Sequence, residues 1–254
     1  MKNAHAALKT AIASKGVAVP EGTKLTDMPA LVEQISTEPV PTAPRAAFAG
    51  DDSTSLVVPK TLVVDMMAVT NISYFFYYCT SLTSLTLPAG FGQKATNPRG
   101  CFSYCTSLAS LTLPAGFGQA AMNTDSCFDH CKSLASLTLP AGFGQAATHI
   151  TSCFRHCESL VSLTLPAGFG QKATSLANCF YYCTSLTTIT GNPNFKATVD
   201  ISPCIKLTHD SLMVVINGLQ TVTTTQTLTL GSTNLAKLTE ADKKIATDKG
   251  WTLA

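Results

Sequence analysis

The sequence predicts an α/β repeat: an elongated solenoid of stacked coils with a parallel β-sheet along one side and helical segments at its ends. Three observations predict it. The string CTSLTSLTLPAGFGQ at Cys79 returns almost letter for letter at Cys105, Cys131 and Cys157, its first half returns at Cys183, and each start lies 26 residues after the last. A fixed period of this length marks units that bury their apolar face only by stacking on neighbours. Within each copy, LTSLTLP alternates apolar and hydroxyl residues with the period of two of a half-buried strand. The composition, 45% hydrophobic and only 13% charged, fills a long core with little surface charge.

Residues 1–35 read as a small helical head. Ala7, Leu8, Ala11 and Ile12 share one helical face that Gly16 ends, and Thr26, Asp27, Met28 and Pro29 open a second helix carrying Leu31, Val32 and Ile35. The three prolines of residues 36–46, STEPVPTAPRA, make a semi-rigid linker. Residues 47–200 are assigned to the solenoid. In the copy at Cys79, Leu85 and Leu87 face the core while Ser84 and Thr86 face out, and Pro88 ends the strand because it has no N–H to donate. Gly90 and Gly92 then flank Phe91 in a turn that aims the ring inward. The cysteines of CFSYC, Cys101 and Cys105, stand at i and i+4, which predicts a single helical turn on the opposite side. Residues 201–254 close the chain. Leu207 to Leu219 reads as an amphipathic helix capped by Thr208 or Asp210, Gln226 to Gly231 as a strand, and Leu238 to Trp251 as a helix with Thr239 as N-cap. Such an end covers leucines and a strand edge that the last repeat would otherwise expose.

Charge and hydropathy exclude several function classes. A net charge of +2 gives no field for nucleic acid. No apolar run approaches the roughly 18–20 residues of a membrane span, and the N-terminal segment lacks the apolar core of a secretory signal. Assembly in a cytoplasm without membrane insertion is therefore expected. Nine of the ten cysteines belong to the repeat: Cys79, Cys105, Cys131, Cys157 and Cys183 at one register, Cys101, Cys127, Cys153 and Cys179 four residues earlier, with Cys204 apart. Thiols at i and i+4 of a helical turn have Cβ atoms about 5–6 Å apart, beyond the roughly 3.5–4.5 Å of a disulfide. Reduced thiols packed as small hydrophobes are expected. CFDHC and CFRHC set His130 and His156 beside pairs of thiols, yet Tyr104 and Tyr182 hold the same register and no CxxC is present, so neither metal nor cofactor is expected. Absence of a nucleophile elbow, HExxH helix or phosphate loop predicts no enzyme.

Candidate binding residues are those that vary while the scaffold repeats. Tyr78, Tyr104, His130, His156 and Tyr182 form a column just before the register cysteines, and Tyr77, Ser103, Asp129, Arg155 and Tyr181 a column one residue earlier. One of the two is expected to face solvent. An exposed aromatic stripe stacks on sugar rings or partner side chains; the alternative is that the rings cover the thiols and hold their polar tips outward. Asp129 with Arg155, and Lys132 with Glu158, place opposite charges one repeat apart as surface pairs that fix register. The Ser and Thr of each strand form a hydroxyl face that reads as ordinary solvated surface, with contact to glycans as the alternative.

The strings CFSYCTSLASLTLP and CFYYCTSLTTIT resemble the leucine-rich repeat of the BspA-like family, whose units read AFxxCxxLxxLxL/IP. The likeness spans roughly residues 54–190 and departs from the family where Cys101, Cys127, Cys153 and Cys179 replace alanine and where the PAGFGQ turn is longer. It implies a right-handed parallel solenoid, in proteins displayed on microbial surfaces or carried by phages and used for adhesion. The KG…DMPALVEQI head is similar to segments that precede repeats in phage and prophage tail proteins, and residues 227–253 are similar to BspA-like C-terminal caps. Together they imply a virion protein docked to other virion proteins through residues 1–35, presenting the solenoid to a host-surface protein or glycan, with homo-oligomers possible. A secreted bacterial surface adhesin and a purely structural decoration protein are the alternatives.

Overall fold

Strand pairing follows the repeat spacing, coil upon coil. The computed structural model describes Gly50, Ser55–Val57 and residues 69–254; the expected head of residues 1–35 and linker of 36–46 lie outside the described residues. Strands β1 (Ser55–Val57) and β2 (Ser84–Thr86) pair in parallel. Strands β3 (Ser136–Thr138), β4 (Ser162–Leu165) and β5 (Thr188–Gly191) form a second parallel ladder in which Leu137, Leu163 and Ile189 lie side by side. Between the two sheets, Ser110 joins Ser136 through a single bridge. Leu85, Leu137, Leu163 and Ile189 are buried while the serines and threonines beside them reach solvent, the alternation the sequence predicts.

The interior is a set of columns, because every coil places the same side chain at the same point. Phe76, Phe102, Phe128, Phe154 and Phe180 stack ring on ring with centroids 5.4–5.8 Å apart. Phe91, Phe117, Phe143 and Phe169 form a second stack at 6.1–6.4 Å. All nine rings are buried. Gly118 shows why the turn needs its second glycine: its φ is +67°, and a Cβ there would lie 2.6 Å from the Phe143 ring of the next coil.

The helical turn expected at CFSYC does not form. Gly100 and Tyr104 adopt left-handed φ of +59° and +64°, as do Tyr74 and Tyr78, Ser126 and His130, Ser152 and His156, and Asn178 and Tyr182. This geometry breaks the helix and aims alternate N–H groups along the solenoid axis. Thus Ser103 N and Cys105 N donate to carbonyls three residues back, while Phe102 N and Tyr104 N donate to Cys127 O and Asp129 O of the next coil at 2.9 and 2.8 Å. The ribbon of turns is a second intercoil ladder, opposite in kind to the strands.

Beyond residue 198 the coil changes form. Strand β6 (Val199–Asp200) precedes helix α1 (His209–Asn217), strand β7 (Gln226–Thr229), the short helix α2 (Gly231–Leu235), helix α3 (Glu240–Asp248) and strand β8 (Trp251–Leu253). β6, β7 and β8 pair in parallel. Thr208 caps α1 by accepting from Ser211 N, and Thr239 caps α3 in a capping box with Asp242. Thr208 N and Ser211 Oγ both donate to Thr187 O, at 3.0 and 3.1 Å, and Ile189 N donates to Ser211 Oγ at 3.0 Å. The first turn of α1 therefore lies where another strand would pair beside β5 and partners Thr187 O and Ile189 N there. Among the described residues no helix is long and apolar enough to cross a membrane.

Candidate functional site

The ribbon of turns positions the candidate residues. Tyr78, Tyr104, His130, His156 and Tyr182 all have φ between +58° and +66°, a region that costs a residue with a Cβ about 1–3 kcal/mol. Four residues earlier the left-handed position is filled by Tyr74 in the coil of Tyr78 and by Gly100, Ser126, Ser152 and Asn178, small groups suited to it, in the four that follow. Large rings at the second position are thus not what the backbone asks for.

Those rings form one continuous ladder. Centroids are 4.9 Å apart from Tyr78 to Tyr104, 4.2 Å to His130, 4.3 Å to His156 and 4.5 Å to Tyr182, with planes within 28° of parallel. Tyr77 lies 5.1 Å from Tyr78 at one end, and Tyr181 meets Tyr182 edge-on at 4.5 Å at the other. Tyr78 and Tyr182 are 40% and 45% exposed; the three middle rings are half-buried. This column reaches solvent along its length, whereas the neighbouring column is mixed, with Ser103 and Asp129 buried, Tyr77 and Arg155 half-buried and Tyr181 exposed. Each middle ring gives both faces to its neighbours, so only ring edges, phenol hydroxyls and imidazole nitrogens meet water. Stacking of a sugar on the faces of Tyr104, His130 or His156 is thereby closed off.

Beneath the ladder lies the thiol column. Cys105, Cys131, Cys157 and Cys183 each donate S–H to a phenylalanine carbonyl of the preceding coil, Phe76, Phe102, Phe128 and Phe154, at 3.1–3.2 Å. The same carbonyls accept the turn N–H of Cys79, Cys105, Cys131 and Cys157. A protonated thiol at this position satisfies a second lone pair inside a dry core. Burial pushes the Cys131, Cys157 and Cys183 thiols up, Cys183 to about 12, which keeps the donor proton in place. All ten cysteines are buried, and none is joined in a disulfide.

Electrostatics concentrate at the middle of the ladder. Asp129 is 2% exposed, far deeper than the surface pair the sequence suggests. Arg155 grips it with two hydrogen bonds, Nε to Oδ1 at 2.9 Å and Nη2 to Oδ2 at 2.8 Å, and the hydrogen bonds raise the Arg155 pKa. His130 Nδ1 lies 2.8 Å from Asp129 Oδ1. Partial burial lowers the His130 pKa from its ordinary value and outweighs the pull of Asp129; the neutral ring therefore donates its Nδ1–H to the carboxylate. Lys132 Nζ approaches Glu158 Oε1 at 3.2 Å, and His156 Nδ1 does so at 3.3 Å. Away from this cluster, His149 contacts Thr148 and His209 bonds Asp242. Among the described residues no three His, Cys, Asp or Glu side chains gather where they could hold a metal ion. Sequence reasoning missed Tyr74, which packs edge-on against Tyr77 at 5.4 Å beneath the Arg99 guanidinium, 5.9 Å from its ring.

The intercoil spacing, the Cys–Leu–Leu–Leu register and the parallel strands agree with a family pattern. The BspA type leucine rich repeat region matches residues 42–169 and, overlapping, 95–202, in six copies. The chain belongs to the BspA-type leucine-rich repeat family. Membership makes it a repeat protein of the surface or adhesion type. No curated protein and no solved structure matches it. In this BspA-type chain the family cysteine is the register thiol, and the ring ladder rides one residue before it.

Proposed function

We propose that this chain is a non-enzymatic attachment protein whose BspA-type solenoid presents the ring ladder to a protein or glycan on a host surface. In the same reading it is a virion component, docked to other virion proteins through residues 1–35. The coils wind right-handedly, and α1 and α3 serve as the cap. The observation that carries the binding role is the placement of five rings in left-handed backbone, where Gly or Asn would be relaxed. Ring stacking returns only about 0.5–1.5 kcal/mol per pair, comparable to the strain, so stability alone gives little reason for rings at all five positions. Their edges offer a row of hydrogen-bonding tips beside the Arg155 guanidinium. A bacterial cell-surface adhesin would use the same ladder, and family membership favours it equally; detection of the chain in purified particles or in the cell envelope separates the two.

Tyr104→Asn with Tyr182→Asn tests the ladder, because Asn tolerates the left-handed turn. Binding of the full chain to host cells is expected to fall at least tenfold while the melting temperature stays within a few degrees. Unchanged binding would overturn the ladder's role.

A further inference from the structure

Five carboxamides converge where the regular coils give way to the helical ones. Gln93, Gln119, Gln145 and Gln171 occupy the same place in four successive PAGFGQ turns. Each lies close to a glycine of its row: a Cβ on Gly142 would sit 3.1 Å from Gln119 Cβ, and one on Gly168 (φ +76°) 3.2 Å from Gln145 Cγ and 3.0 Å from Gln171 Oε1. The next coil replaces this turn with Asn192-Pro193-Asn194, and the row of glutamines ends. At that seam a pocket of about 420 Å3 opens between Gln145, Gln171, Asn192, Asn194 and Asn217, the last residue of α1.

The walls are fixed by backbone. Gly168 N donates to Asn192 O at 3.1 Å, Asn192 N to Leu165 O at 3.2 Å and Asn194 N to Phe169 O at 2.8 Å. Gln220 Nε2 ties the Gln171 and Asn194 carbonyls together, at 3.0 and 3.1 Å. The five side chains themselves are free: among the described residues none of their carboxamide groups has a hydrogen-bond partner. Gln171 and Asn194 are half-buried, and the other three are exposed.

We infer that this seam pocket is a binding site for a neutral saccharide of one or two sugar units. Its size lies within the roughly 300–1,000 Å3 of small-molecule sites. Each carboxamide supplies two donors and an acceptor, the combination that pairs with sugar hydroxyls, which themselves donate and accept. Among the described residues no charged side chain lines the pocket, which leaves a phosphate, carboxylate or amine without a counter-ion, and no aromatic ring lines it, which leaves a nucleobase without a platform. Ala167 and Pro193 give a small apolar patch for the C–H face of a sugar ring. The site is separate from the ring ladder and does not depend on it.

The test is saturation-transfer and side-chain amide NMR on the full chain with maltose, cellobiose, lactose, mannobiose and N,N′-diacetylchitobiose, with sialic acid as the charged control. At least one neutral disaccharide is expected to shift the side-chain NH2 signals of Asn192, Asn194 and Asn217, and Asn217→Ala or Gln171→Ala to weaken it at least tenfold. Asn217 is exposed at a helix end, so its variant keeps the fold. The Tyr104→Asn, Tyr182→Asn protein is expected to bind the sugar as the parent does, which separates failure of this site from failure of the ladder. No shift with any of the five sugars, a shift that survives both alanine variants, or a shift with sialic acid alone would overturn the inference.

Discussion

Phe128→Ala probes the interior at its most informative point. The ring is buried, stacks on Phe102 at 5.4 Å and Phe154 at 5.7 Å, and leans on Phe143 at 6.0 Å. Truncation removes the transfer energy of the ring and leaves a cavity bounded by three other rings, a combination that costs about 3–5 kcal/mol. Loss of two stacked pairs places the value toward the upper end. For a chain of this size each kcal/mol lowers the melting temperature by roughly 2–4 °C, so a drop of roughly 6–20 °C is expected in calorimetry or denaturant titration. Because coils contact only their neighbours, amide exchange is expected to accelerate first at the turn bonds flanking the cavity, Phe102 N to Cys127 O and Phe128 N to Cys153 O. A loss below about 1 kcal/mol, or exchange that rises evenly over the chain, would refute a core of continuous ring columns.

Arg155→Ala leaves the Asp129 carboxylate buried with only His130 at hand; a loss of about 2–4 kcal/mol is expected, somewhat below a dry pair because the guanidinium is a third exposed. In a double-mutant cycle, Asp129→Ala on the Arg155→Ala background is expected to restore part of that loss, and purely additive losses would contradict the pairing. His130 titrates below its ordinary value, so the unfolded chain binds its proton more tightly and acidification from pH 7 through about 6.5 and below destabilises the fold; imidazole NMR is expected to place the midpoint of His130 below 6.5, and lower still in Asp129→Asn. His209 behaves oppositely, raised chiefly by its hydrogen bond to Asp242, while the same bond holds Asp242 down to about 2. The His209 contribution is present below its unfolded pKa and fades as pH rises through the raised value, and that of Asp242 fades only as pH falls toward about 2. Thiols sealed in the core are out of reach of a reagent: the native protein is expected to leave all ten cysteines unreacted toward a thiol-disulfide reagent and the denatured protein to expose all ten.

Much of the fold was legible because the repeat writes each contact several times. Leu85, Phe91 and Cys105 could be placed from period and alternation alone, and Thr208 and Thr239 announced the helices that follow them. The turn ribbon was not legible. Cysteines at i and i+4 mimic a helical turn, and nothing in Tyr104 or His130 advertises left-handed backbone, since rings seldom occupy it. Its cause is the intercoil hydrogen bonds, which exist only once coils stack. The ladder column was visible as a column, but that its rings would spend their faces on one another depends on a spacing no string shows. Asp129 looked like a surface charge because its burial comes from the two coils beside it. Nothing in the sequence explains why Ser110 to Leu113 pairs through one bridge when the identical SLTL forms strands at Ser136 and Ser162. The seam pocket draws on residues from Gln145 to Asn217 that become neighbours only where two kinds of coil meet.

Removal of one whole coil tests the stacking account most directly. Deleting residues 80–105 joins Cys79 to Thr106 and preserves every column, with Tyr78 then facing His130 across the junction. The account predicts a folded, cooperatively melting chain, one coil shorter, with its remaining thiols protected. An unfolded product, or thiols that react at once, would contradict it.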